Sequence, residues 1–338
     1  MNVAGHTLEP GEKIEFDLPA GETALRKVTV PVTAIRGAQD GPTIAITAAC
    51  HPMELNGVLI AAKVAKMIDP AKLKGTVLIV HVQNVMGFEH KKGHASPLDG
   101  VNFGKAFPVA GVTVEGTGNV SHQGTSLSFS TAQAVWDHII APADMLIDLH
   151  GGELFESLKE NIEILTVADD ETNERSREFA RAFLFDEIWE VPQGSIPEMP
   201  SYPERGGAVM EAMKAGKPAV YCEVGSEGHL DEALVDKTVA GIDNVFKKYG
   251  MIAGEAQERP VRTYVGGHVL FATRGGLFLN RTKAGQEVTE GEVLGTILDI
   301  KGEVLEEIRA PGHCVVSNTI VLGIANPGDM LYVMGNVV

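Results

Sequence analysis

The chain has 338 residues, with 44% apolar and 22% charged side chains, ordinary values that exclude general disorder and suit about two domains. Against 28 lysines and arginines stand 45 aspartates and glutamates, a net charge of −17. Such a surface repels phosphate backbones and anionic lipid, which argues against nucleic-acid and membrane partners.

In chain order, residues 24–36 alternate β-branched residues and read as a strand, with Pro31 placing it at a sheet edge. Residues 43–50 (TIAITAAC) and 76–83 (TVLIVHVQ) are apolar on both faces, as buried parallel strands are. Between them Leu59, Ile60, Ala61, Val64 and Met67 fall at helical spacing over 54–68. This rhythm predicts an α/β sheet. Residues 84–127 are rich in Gly, Pro, His and polar side chains with weak periodicity, a long loop of the kind that carries function. Beyond it the pattern predicts a helix near 131–141, a strand at 145–150, a strand in ENIEILTVA and a helix in TNERSREFARAFLF. A helix ending at Gly216, a strand at 218–224 and a helix at 230–248 follow. From Arg262 onward, short strands separated by glycine turns predict a small all-β domain, dividing the chain into 1–256 and 257–338. No window offers the ~20 apolar residues of a membrane span, and the N-terminal residues show no secretory pattern. Three cysteines without a Cys-x-x-Cys pair suit a reducing cytoplasm.

Three of the apolar strands end in chemistry. His51-Pro52-Met53-Glu54 follows the first, where ligand sites of open α/β sheets form. His and Glu three apart converge on one cation if the segment becomes helical, and both are good zinc ligands; alone, the pattern is short enough to arise by chance. Asp148-Leu149-His150-Gly151-Gly152 ends the second. Two His and one carboxylate would leave zinc one open position. Asp148 shares a strand face with His150 and either orients it or is merely solvated. Tyr221-Cys222-Glu223 ends the third. Glu223 is either a proton carrier beside the metal or the partner of a surface lysine.

Taken together, His51-x-x-Glu54, Ser96-Pro97-Leu98-Asp99-Gly100-Val101-Asn102, Phe107-Pro108, Asp148-Leu149-His150-Gly151-Gly152 and Glu223-x-Gly225 resemble, in order, the succinylglutamate desuccinylase/aspartoacylase family of the zinc carboxypeptidase superfamily. The resemblance implies a mixed sheet flanked by helices, and a zinc-dependent hydrolase that cleaves the amide of a small N-acyl amino acid or related amine. It makes His51, Glu54 and His150 the zinc ligands and Glu223 the catalytic carboxylate. His94, Asn102 and Lys105 become substrate contacts. The family's usual Asn-Leu-Asn-Arg is here Asn102-Phe103-Gly104-Lys105, and a family arginine is replaced by His94. An ammonium does not hold a carboxylate bidentately as a guanidinium does, so these departures point away from a plain aspartate- or glutamate-derived substrate. The tail resembles a biotinyl/lipoyl-like sandwich, which implies packing near the site's mouth and a role in forming a homo-oligomer.

Two other functions are weighed. One is a metal-binding homologue with little hydrolysis. The other is a carrier module using Lys301, although Lys301-Gly302 reads more simply as a hairpin turn. Cys50 and Cys222 read as inert small hydrophobes and His81 as a satisfied core histidine. His90 and His122 read as loop residues, and Arg205 and His229 as lying near helix starts.

Overall fold

The computed structural model describes residues 1–107, 126–200, 202 and 207–337. Its elements begin with β1 (Asn2–Val3), β2 (His6–Thr7), β3 (Glu12–Glu22), β4 (Lys27–Arg36), β5 (Gln39–Ala48), α1 (Leu55–Met67), β6 (Lys74–Val80) and α2 (Val85–Glu89). They continue with α3 (Leu127–Val135), β7 (Met145–His150), β8 (Glu156–Leu158), β9 (Asn161–Leu165), α4 (Asp170–Arg181), β10 (Glu187–Val191), α5 (Ala208–Lys214), β11 (Ala219–Glu223) and α6 (Glu232–Lys248). The tail adds β12 (Arg262–Phe271), β13 (Gly276–Asn280), β14 (Glu287–Val288), β15 (Val293–Leu298), β16 (Val304–Arg309), β17 (Cys314–Ile320), β18 (Ile324–Ala325) and β19 (Met330–Val337).

Among the described residues one mixed sheet runs β14-β17-β19-β12-β10-β9-β11-β7-β5-β6-β4-β3, with β8 pairing β17. Its centre, β11-β7-β5-β6, is parallel. Strands there are covered on both faces, which is why β7 can be buried along its whole length. Ile44, Ile46, Ile147 and Val220 share one core with Ile60 of α1, Phe179 of α4 and Phe246 of α6. On the other face Leu78, Leu146 and Ala219 pack with Val135 of α3 and Val209 of α5. Each fully buried aliphatic side chain contributes about 2 kcal/mol relative to exposure.

The expected strands and helices stand within a few residues of their predicted places, with informative exceptions. Residues 27–36 are not an edge: β4 lies between β6 and β3, and β3 is the edge. Pro31 is tolerated because its carbonyl accepts the His81 N–H, one residue past the end of β6. The N–H that proline lacks would have pointed to that same side, beyond the last paired residue. The helix expected near 131–141 starts at Leu127 and closes with a π-turn at Trp136–Ile140. Strands β3 and β10 were not foreseen. The tail is all strand as expected, but β12 hydrogen-bonds to β10 and the main sheet continues through it. The remaining tail strands β16-β15-β13-β18 form a second sheet. It shares one core with the first, in which Phe278 and Ile297 meet Val316 and Tyr332. Lys301 lies in the Asp299–Glu303 turn between β15 and β16, where Asp299 accepts the Lys301 and Glu303 N–H groups. No helix among the described residues is long and apolar enough to cross a membrane.

Candidate functional site

The parallel centre of the sheet brings the three chemical strand ends side by side. Register pairs Glu223 with His150, Tyr221 with Asp148, and Asp148 with Thr47. Residues opposed in this way stand on the same face, so β5, β7 and β11 present one polar patch at their C-terminal ends. Beyond β5, Ala49 turns with φ +52°, a conformation that costs an alanine about 1 kcal/mol. It is held by N–H groups of Gln83 and Asn84 donating to the carbonyls of Ala48 and Ala49. Helix α1 begins only at Leu55, so His51 and Glu54 converge through a turn ahead of the helix rather than on its face. Glu54 is the residue preceding the helix, yet its side chain makes no capping hydrogen bond. The carboxylate is turned to the histidines instead.

Oε1 of Glu54 lies 2.8 Å from Nδ1 of His51, and Oε2 lies 3.2 Å from Nδ1 of His150. The far nitrogens are also engaged. Nε2 of His150 lies 3.1 Å from Oδ2 of Asp148, and Nε2 of His51 lies 3.3 Å from Oδ1 of Asn102. Asp148 is buried and fixed in turn by Thr47 Oγ1 and Gln83 Nε2, which donate to its Oδ1 at 2.6 and 3.0 Å. Each imidazole therefore faces an oxygen at both nitrogens. A neutral ring carries one proton and would leave one lone pair against another. A cation between the two Nδ1 atoms and Glu54 removes that conflict. It also meets Glu54 Oε2, which is buried without a hydrogen-bond partner. His51, Glu54 and His150 thus form a three-donor group fit for a metal ion, their ligand atoms within 4.8 Å of one another. Burial alone would raise the Glu54 carboxyl, but the two imidazoles hold it down at about 2. Burial opposes a charge on His150, but Glu54 and Asp148 outweigh it and raise the ring well above its ordinary pKa.

Glu223 stands next to His150. Burial pushes its carboxyl well above the usual range; His150 opposes this, and Glu54, Glu163 and Glu156 add to it. Two cavities meet at this point. One of about 230 Å³ runs past Cys50, Asn102 and Lys105, and a second of about 270 Å³ runs past His94, Glu163 and Trp189. His51, His150, Tyr202 and Glu223 line both.

The structure thus gathers all seven residues singled out in the sequence. Asn102 braces His51 from behind as well as lining the first cavity. Lys105 is exposed at the rim. The His94 ring sits edge-on to His51, centroids 4.2 Å apart. Burial and the neighbouring His51 push it down to about 4, so it is neutral near pH 7. Gly104 packs under His51, where a Cβ would lie 3.2 Å from Nε2. At Gly151 a Cβ would stand 2.4 Å from the Val224 carbonyl, closer than any side chain tolerates.

Cys50 is buried and its thiol is pushed up to about 12, which suits an inert hydrophobe. His81 is satisfied by Thr33 Oγ1 at 2.8 Å, and His90 bonds back to the Met86 carbonyl. His229 is exposed and contributes only its carbonyl, to Asn56. His122, Pro108 and Arg205 lie outside the described residues. Sequence reasoning missed Asn161 and Glu163, which line the second cavity from β9. The signal was present: in Asn161-Ile162-Glu163-Ile164 polar residues alternate with isoleucine inside a core strand.

A mixed sheet with two histidines and a glutamate gathered at the ends of its parallel strands defines a class of metallohydrolase-like folds. Residues 40–249 match the succinylglutamate desuccinylase/aspartoacylase catalytic domain, and the chain belongs to that family. It is 24% identical over 335 residues to an N-alpha-acetyl-L-2,4-diaminobutyric acid deacetylase of Halomonas elongata, covering 96% of this chain and 91% of that protein. Its fold is shared by a product-bound ectoine utilization protein from Ruegeria pomeroyi (TM-score 0.83, 20% identity, 98% of each chain). It is shared too by a succinylglutamate desuccinylase from Silicibacter sp. TM1040 (TM-score 0.81, 22% identity, 97% and 95% covered).

Proposed function

We propose that the chain is a zinc-dependent deacylase that hydrolyses the amide of a small N-acyl amino acid or related N-acyl amine. The observation that carries this reading is the juxtaposition of a three-donor metal group with Glu223, its register neighbour at His150, on a cavity. Family membership and the Halomonas elongata deacetylase support the reaction class.

His51, Glu54 and His150 would hold the zinc ion, which when bound supplies Lewis acidity and lowers the pKa of water toward about 7. Asp148 and Asn102 hold the far nitrogens of the two imidazoles, leaving Nδ1 of each directed at Glu54. Glu223 takes a proton from the attacking water as the water oxygen bonds to the acyl carbon. It then delivers that proton to the amide nitrogen as the C–N bond breaks, giving a carboxylate and an amine. His94, neutral at pH 7, donates an N–H toward the acyl oxygen. Asn102 contacts the substrate where it lines the first cavity, and Lys105 attracts a substrate carboxylate at the rim.

Elemental analysis of the purified chain tests the metal: about one zinc per chain, lost in His150→Ala, is expected. Glu223→Gln should retain zinc while kcat falls ~100-fold or more. Zinc without turnover on a panel of N-acyl amino acids would instead favour a metal-binding homologue, and no zinc after reconstitution would sink the mechanism.

A further inference from the structure

The second cavity has a polar wall that the hydrolytic cluster leaves unexplained. Apart from the histidines it shares with the metal group, its polar residues are acceptor-rich: Glu156, Asn161, Glu163, Asn318 and Glu223. No lysine or arginine among the described residues lines it. Asn161 is 3% exposed, and its Nδ2 donates to the Lys159 carbonyl at 3.0 Å, which fixes the amide orientation. Its Oδ1 is buried without a partner, and so is Oδ1 of Asn318. Glu163, 5% exposed, accepts a hydrogen bond from the Tyr202 hydroxyl at 2.9 Å. Register sets Asn161 opposite Glu223 and Glu163 opposite Tyr221, so the acceptors continue the polar patch of the metal centre on the same face.

Buried acceptors without donors cost free energy until something supplies hydrogens. An anionic group would be repelled here, and an apolar one would leave Asn161 unpaired. A primary ammonium brings three N–H donors and a positive charge. We propose that this cavity is a subsite for a cationic amino group carried by the substrate, at a position other than the amide nitrogen. Naming the ligand as substrate rests on the deacylase reading. With Lys105 at the rim of the other cavity, the substrate class is an N-acylated diamino acid. Burial pushes the Glu163 carboxyl up to about 7, the Tyr202 hydrogen bond opposing, so an arriving ammonium also keeps it ionised.

The test compares Nα-acetyl-2,4-diaminobutyrate, its uncharged isostere Nα-acetylnorvaline and the anionic Nα-acetylglutamate as substrates of the zinc-loaded protein. Calorimetric binding of free 2,4-diaminobutyrate and norvaline is measured in parallel. The diamino compound should be preferred in kcat/KM, and Glu163→Gln should cut its preference over the norvaline compound about 10- to 100-fold, as loss of a charged hydrogen-bond partner does. Diaminobutyrate binding should weaken by a similar factor. Asn318→Ala, on a less buried residue of the same wall, replaces Glu163→Gln if that variant does not fold. Turnover without preference for the diamino compound leaves the deacylase standing and overturns the subsite. Diaminobutyrate binding that depends on Glu163, with no turnover of any compound, keeps the subsite and overturns the deacylase. A second zinc per chain that is lost in Glu163→Gln would assign the cavity to a metal and overturn the proposal.

Discussion

The metal group and the second cavity stand on the same sheet face and are both rich in carboxylates, yet they are finished differently. Around the metal group the side chains brace one another. Asp148 has Thr47, Gln83 and His150, and His51 has Asn102. The orphan among them is Glu54 Oε2, pointing where a cation would sit. In the second cavity the acceptors find little in the protein itself. Glu163 has Tyr202, and Oδ1 of Asn161 and of Asn318 has no partner. A cross-braced cluster fixes geometry before a ligand arrives, whereas an under-satisfied one stores a cost that a ligand relieves.

That contrast can be broken by measurement. Its strongest form concerns stability. Glu163 has a folded pKa of about 7, raised from 4.5. Between those values the folded chain keeps a proton that the unfolded chain releases, so stability falls as pH rises through the window. Glu163→Gln removes this loss and should be more stable than the parent at pH 8 by up to about 3 kcal/mol, with little difference at pH 4. Chemical denaturation at the two pH values decides it; equal stabilities at pH 8 would contradict a stored cost in that cavity. A smaller effect belongs to the braced side. Asp148→Asn should weaken metal affinity ~10- to 100-fold, read by competition with a chelating dye. An unchanged affinity would show that the brace is ornamental. Smaller still, Gly104→Ala sets a methyl against His51 and Asn102. It should cost less than the ~10-fold floor expected for Asp148→Asn, with the melting temperature nearly unchanged.

The sequence shows the metal side more clearly than the other. His51, Glu54, His150 and Glu223 each end an apolar run, and a polar residue at the end of a buried strand is visible from composition alone. That these ends meet depends on strand order, which β-helix-β rhythm suggests. The second cavity is assembled from β9, β17 and β19, strands distant in sequence that meet only because the tail joins the main sheet. No local pattern encodes such a meeting. Glu163 had a local signal, but a single acid in a strand reads as an exception until its neighbours are known. The Pro31 edge reading failed for a related reason. The proline rule concerns an unpaired N–H, and here the neighbouring strand ends in time to leave that position unpaired.

The far wall of the second cavity is built from Val269, Ser317, Asn318, Met330 and Val333, while the metal donors and Glu223 all lie before residue 224. On the ribosome, the reactive cluster therefore emerges well ahead of the segment that encloses it. A growing chain can capture its ion early yet has no closed chamber until β19 takes its place beside β12. Hydrolytic competence is in this way timed to a late stage of synthesis, and a chain truncated within the tail would carry the cluster without the enclosure.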